Sequence, residues 1–114
     1  MLVVNTEFVP GKTIVEVKGL VQGSTVRAKH VGRDIAASIK NIFGGELGGY
    51  TELLVESRRE SMSRMVAQAQ QLGANAVVNV RFATSSITAG AAELYCYGTA
   101  VVLSDEPVEA AVLE

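Results

Sequence analysis

Near the middle of the chain a long polar helical pattern stops at a glycine and becomes a strand, through Leu72, Gly73, Ala74, Asn75, Ala76, Val77, Val78, Asn79, Val80, Arg81 and Phe82. Glycine takes the left-handed backbone that ends many helices at little steric cost. The β-branched run after it suits a pleated strand. A helix that hands over so abruptly to a strand packs back onto a sheet, so the block fixes an architecture of helices layered on strands. It names no chemistry.

Other segments fill in that architecture. A short apolar opening at 2–5 is followed by a Pro10-Gly11 turn. Residues 12–26 then read as one long strand, bent at Gly19 or Gly23, with Val15 and Val17 on one face. Across 31–43, Ile35, Ala36, Ile39, Ile42 and Phe43 recur at helical spacing and predict a first amphipathic helix. Four glycines, Gly44, Gly45, Gly48 and Gly49, mark the connection to a second helix over 51–72. That helix is expected to take Thr51 as N-cap, to carry Glu52 and Glu56 near its positive end, and to present Leu54, Met62, Met65, Ala69 and Leu72 as its apolar stripe. Strands at 75–84 and 92–103 form an antiparallel hairpin. In the second, Tyr95, Tyr97, Val101 and Leu103 face one side, and Leu94, Cys96, Gly98, Ala100 and Val102 face the other.

The expected fold class is therefore α+β: a mostly antiparallel sheet covered by two helices in the order β-β-α-α-β-β, a single domain over 1–103 with an acidic tail over 104–114. A chain of 114 residues suits one domain. Helices cover only one face of such a sheet. With Val78, Val80 and Phe82 alternating against Val77, the second face would leave an apolar area that monomers rarely expose, and self-association is the simplest cover.

Charge and cysteine usage exclude several classes. Ten Lys and Arg against 12 Asp and Glu give a net charge of -2, which lacks the basic footprint of a nucleic acid or anionic membrane binder. The lone Cys96 cannot form an internal disulfide, and the opening residues do not read as a leader, so a cytoplasmic protein is expected. No apolar run approaches the roughly 18 residues of a spanning helix.

Taken together, residues 19–26, Arg33-Asp34-Ile35 followed by Gly44-Gly45-Glu46, residues 69–78, and Gly98-Thr99-Ala100-Val101 resemble the YbjQ-like family of small bacterial and archaeal proteins, over about 1–103. The resemblance implies a compact α+β subunit in a dodecin-like or YbjQ-like ring, a homopentamer, under the family label "putative heavy-metal-binding domain". It implies no activity and supplies no ligand motif.

The metal reading thus rests on this chain's own residues. Soft metals take three or four thiolate or imidazole ligands, and the chain offers Cys96 and His30. Cys96 lies in an apolar strand between two tyrosines, where an inert core thiol is the plain alternative. His30 precedes the first helix, where capping or solvent exposure is the plain alternative. A ring could bring several copies of Cys96 to a shared axis. The glycine-rich loop lacks the Lys-Ser/Thr ending of a phosphate loop, and Glu46 would repel phosphate. Ser57, Ser61 and Ser63 have no paired histidine and carboxylate to activate them. Glu52, Glu56 and Glu60 share a face with Arg59 and Arg64 and read as a solvated, ion-paired surface. The expectation is a non-enzymatic, self-assembling protein that holds a heavy metal ion or small ligand where subunits meet; the alternative is a scaffold or interaction module without metal. An enzyme using Glu46 or Arg33-Asp34 is a remote third.

Overall fold

The computed structural model describes residues 1–27, 48–88 and 91–105. Its elements run β1 (Leu2–Val3), β2 (Lys12–Arg27), α1 (Gly48–Gln71), β3 (Ala76–Thr88) and β4 (Ala91–Asp105). They form one four-stranded sheet in the order β1-β3-β4-β2, with β1 parallel to β3 and the other pairs antiparallel. This corrects the expected architecture. The described order is β-β-α-β-β with one helix over a mixed sheet, not two helices over a mostly antiparallel one, and a ring is not part of what the single chain shows. The expected first helix, 31–43, lies outside the described residues. The sheet is mixed because β1 reaches β3 only after the chain has crossed through β2 and α1, the long connection that parallel pairing requires.

The helix-to-strand handover is as the sequence predicts. Gly73 has φ +82°, its N–H bonds to the Gln70 carbonyl at 3.0 Å, and the Ala74 N–H reaches back to the Ala69 carbonyl at 3.1 Å. These two bonds are the Schellman closure, which satisfies the last carbonyls of α1. At its other end α1 begins at Gly48, so Thr51 lies inside the first turn and is not the N-cap, and that turn holds no acidic residue. The expected capping and dipole pairing are corrected accordingly.

The buried face of α1 also differs from the expected stripe. Ser57, Ser61, Met65 and Ala69 are buried at four-residue spacing, whereas Leu54 and Leu72 are exposed. Small side chains let the helix approach the sheet closely at Gly23. A Cβ there would lie 2.1 Å from the Ser61 carbonyl oxygen and 2.5 Å from the Met65 nitrogen. Gly23 is thus a point of helix contact and not a bend; the bends are register shifts around Val15 and Lys18, the second beside Gly19 at φ +131°. Burying Met65 beneath this contact contributes about 1.5–3 kcal/mol.

Two apolar clusters lie on opposite faces of the sheet. Val21, Val77, Val80, Cys96 and Ala100 pack under Met65 and Ala69. On the other face Ala76, Val78, Val101 and Leu103 are covered by Val4 and Val9 from the chain's opening segment and by Ile14 near the start of β2. The faces of β4 are as expected. In β3, however, Val78 and Val80 join different clusters, and Phe82 is exposed. The cause is Asn79 at φ +58°, the extra residue of a bulge between Val78 and Arg81, whose N–H bonds to the Thr6 carbonyl at 2.8 Å.

Asn75 extends the β3–β4 ladder with its side chain, donating to the Leu103 carbonyl at 2.9 Å and accepting the Leu103 N–H at 2.7 Å. Strand β4 continues to Asp105, which meets Lys12 at 2.5 Å, so Ser104 and Asp105 belong to the sheet. The rest of the acidic tail lies outside the described residues. Gly23→Ala places a methyl group against helix backbone that cannot move aside, and an overpacking cost of about 1–3 kcal/mol is expected, read as a lower urea midpoint. An unchanged midpoint would show that α1 is not seated on β2 at this point.

Candidate functional site

The one described residue of the expected metal pair is Cys96, at the centre of β4. In register beside it stand Gly23 on β2 and Phe82 on β3. Because Gly23 carries no side chain, Ser61 and Met65 of α1 come down over the thiol, which is fully buried. Its Sγ lies 3.7 Å from Met65 Sδ. Burial pushes the Cys96 thiol above its ordinary range, and contacts with Ser61 and with backbone at Gly23 offset this only in part. The side chain faces the core between sheet and helix, enclosed by its own subunit. At neutral pH it is a protonated thiol, not a thiolate nucleophile or ligand.

That donor set does not fit a closed soft-metal centre. It supplies a protonated thiol, a thioether, and the Ser61 hydroxyl, which donates to the Arg58 carbonyl at 3.0 Å. Among the described residues no three His, Cys, Asp or Glu side chains gather where they could share a metal ion. His30, the other expected ligand, lies outside the described residues, as do Glu46 and Arg33-Asp34.

The remaining candidates are placed as follows. Ser57 and Ser61 sit in the seam between α1 and the sheet as packing residues, and Ser63 is exposed. Glu52 and Glu56 are exposed, and Glu60 pairs with Arg64 one turn on. Arg64 also donates to the Ser24 carbonyl, and Gln68 Oε1 accepts the Gln22 N–H at 2.7 Å. These two α1 side chains thus cap outward-facing backbone groups of β2. Sequence reasoning missed them, although their four-residue spacing beside the Ser57, Ser61, Met65 and Ala69 series is a readable signal. On the helix-free face, Gln22, Ser24, Ser85, Glu93 and Tyr95 line an open polar depression, with the Tyr95 and Tyr97 ring centres 5.9 Å apart. Among the described residues no helix is long and apolar enough to cross a membrane.

A family described as "Putative heavy-metal-binding" matches residues 1–104. The chain belongs to this YbjQ-like family. Similar relatives include the UPF0145 proteins of Hahella chejuensis, 68% identical over 103 residues that cover 90% of this chain and 99% of the relative, and of Clostridium perfringens, 57% identical over 105 residues that cover 92% and 99%. An archaeal relative from Thermococcus kodakarensis is 55% identical over 106 residues, covering 93% and 94%. Among solved structures, a Pediococcus pentosaceus protein of unknown function from the DUF74 family aligns with TM-score 0.60 at 13% identity, covering 91% of this chain and 98% of its own. That likeness supports the fold alone.

The enclosed thiol has a pH signature. Because the folded state holds its proton more tightly than the unfolded chain does, its contribution to stability is complete below the ordinary thiol pKa of about 8.5 and is lost as pH rises from there through the folded value. Urea unfolding at pH 7 and pH 10 is expected to show a larger alkaline loss in the wild type than in Cys96→Ala. Equal losses would mean that Cys96 is not held as a buried thiol.

Proposed function

We propose that this protein is a non-enzymatic homo-oligomer of the cytoplasm, a closed ring of the pentameric kind that its family resemblance implies, whose repeated surfaces serve as a scaffold. The observation that carries this reading is the exposed apolar series on β2, an outer strand of the sheet: Val15, Val17 and Leu20 are 59%, 64% and 73% exposed. Exposed, long edge strands of this composition are templates for pairing with another chain.

A heavy metal or small ligand held where subunits meet is the second reading, favoured by the family description. In this reading the ligands are groups other than Cys96, whose sulfur turns into its own subunit's core.

Native mass spectrometry of protein purified without chelator or affinity metal, on the wild type and on Cys96→Ser, tests both. A pentamer with identical bound mass in the two proteins is expected. A monomer at micromolar concentration removes the ring, and a metal mass lost with Cys96→Ser contradicts the enclosed thiol.

A further inference from the structure

On the face of the sheet away from α1, the registers of β2, β3 and β4 set out a small polar field. Three rows cross it: Gln22, Tyr97 and Arg81; then Ser24, Tyr95 and Ala83; then Val26, Glu93 and Ser85. The middle row sets the Tyr95 ring between a serine and an alanine, neither of which is large enough to cover it. The result is the open depression lined by Gln22, Ser24, Ser85, Glu93 and Tyr95, with a volume of about 240 Å³. Sites that take drug-sized ligands have about 300–1,000 Å³, so this one suits a smaller molecule.

The charge of the depression has one sign. Glu93 is the only charged residue of its lining, and the Ser85 hydroxyl donates to Glu93 Oε1 at 3.3 Å. The ion pairs among the described residues, Lys12 with Asp105, Lys18 with Glu16 and Arg64 with Glu60, do not involve it. Arg81 spends its guanidinium on the Asn5 and Val80 carbonyls, each at 2.9 Å. An anion seated here would meet an uncompensated carboxylate. A hard metal ion such as calcium takes about six to eight oxygen ligands, and the lining holds one carboxylate. An organic cation is better matched. Residues on one face of a strand lie about 7 Å apart, so a positive group over the Tyr95 ring is within reach of the Glu93 carboxylate. The Tyr97 ring, centred 5.9 Å from that of Tyr95, extends the aromatic surface.

The floor of the depression is held from behind. Helix α1 bonds to the backbone of the two β2 residues that line it: Gln68 Oε1 accepts the Gln22 N–H at 2.7 Å, and Arg64 donates to the Ser24 carbonyl. Next to Tyr95, Cys96 is fully buried beneath the helix. A backbone fixed before binding loses little further freedom when a ligand arrives.

From this arrangement we infer that the depression binds a small organic cation, an alkylated ammonium group seated over Tyr95 with Glu93 as its counter-charge, while Ser24 and Gln22 meet a polar tail. Tyrosine rings attract such ions through their quadrupole. The inference goes beyond the scaffold reading and does not depend on it, because every lining residue belongs to one subunit.

Saturation-transfer NMR on the full chain, with choline as the probe, tests it. Saturable transfer to the choline methyl groups is expected, with binding weakened about tenfold in Glu93→Gln and in Tyr95→Leu. The uncharged isostere dimethylbutanol is expected to bind the wild type at least about tenfold more weakly than choline. Absence of choline binding, equal binding of the isostere, or choline binding unchanged in Glu93→Gln would each overturn the proposal. Calcium binding seen by calorimetry and lost in Glu93→Gln, with choline displaced, would overturn it in favour of a metal site. The isostere comparison needs only wild-type protein, so it decides the matter even where a variant disturbs the fold, and a negative result leaves the assembly measured by native mass spectrometry untouched.

Discussion

The contact between α1 and the backbone of β2 at Gly23 is the constraint on which the other features depend. There is no room for a Cβ between the strand and the helix backbone at Ser61 and Met65, so the helix can sit down only where the strand has glycine and the helix has small residues. Once it is seated, Met65 and Ala69 close the core over β3 and β4, and Cys96 is sealed beneath them. The same seating carries Arg64 and Gln68 to the rim of β2, where they satisfy its outward backbone groups. One close approach therefore determines a buried thiol, a guarded upper edge and an open lower one.

The placement of Cys96 changes the meaning of the family description for this chain. A thiol raised above its ordinary pKa, fully buried and 3.7 Å from a methionine sulfur, is core packing of a soft, polarisable kind. Any metal that the family binds would be held here by other groups. The subunit's unspent apolar surface lies at its edges, in an exposed row of residues that the isolated subunit does not cover.

Much of this fold could be read in the sequence. The Gly73 stop, the β3–β4 hairpin, the long strand from Lys12 and the two faces of β4 follow from residue types and spacing. The stripe of α1 was misread because serine counts as polar, yet Ser57 and Ser61 are buried, with the Ser61 hydroxyl turned back to a helix carbonyl. The Asn79 bulge left no signal in the hydrophobic pattern, since Val78 and Val80 look like one face until a left-handed residue separates them. Parallel pairing of β1 depends on tertiary position, which two apolar residues do not encode. The direction of Cys96 required knowing that Gly23 and Ser61 face it. His30 and the first expected helix lie outside the described residues.

Hydrogen–deuterium exchange of peptides from β2, followed as the protein is diluted, tests most directly that α1 closes one part of this strand and a neighbouring subunit closes the other. Residues 21–25 and 61–69 are expected to stay protected at all concentrations, while residues 12–20 are protected when concentrated and exchange rapidly after dilution. Fast exchange in 12–20 at high concentration, with assembly intact, would contradict the account.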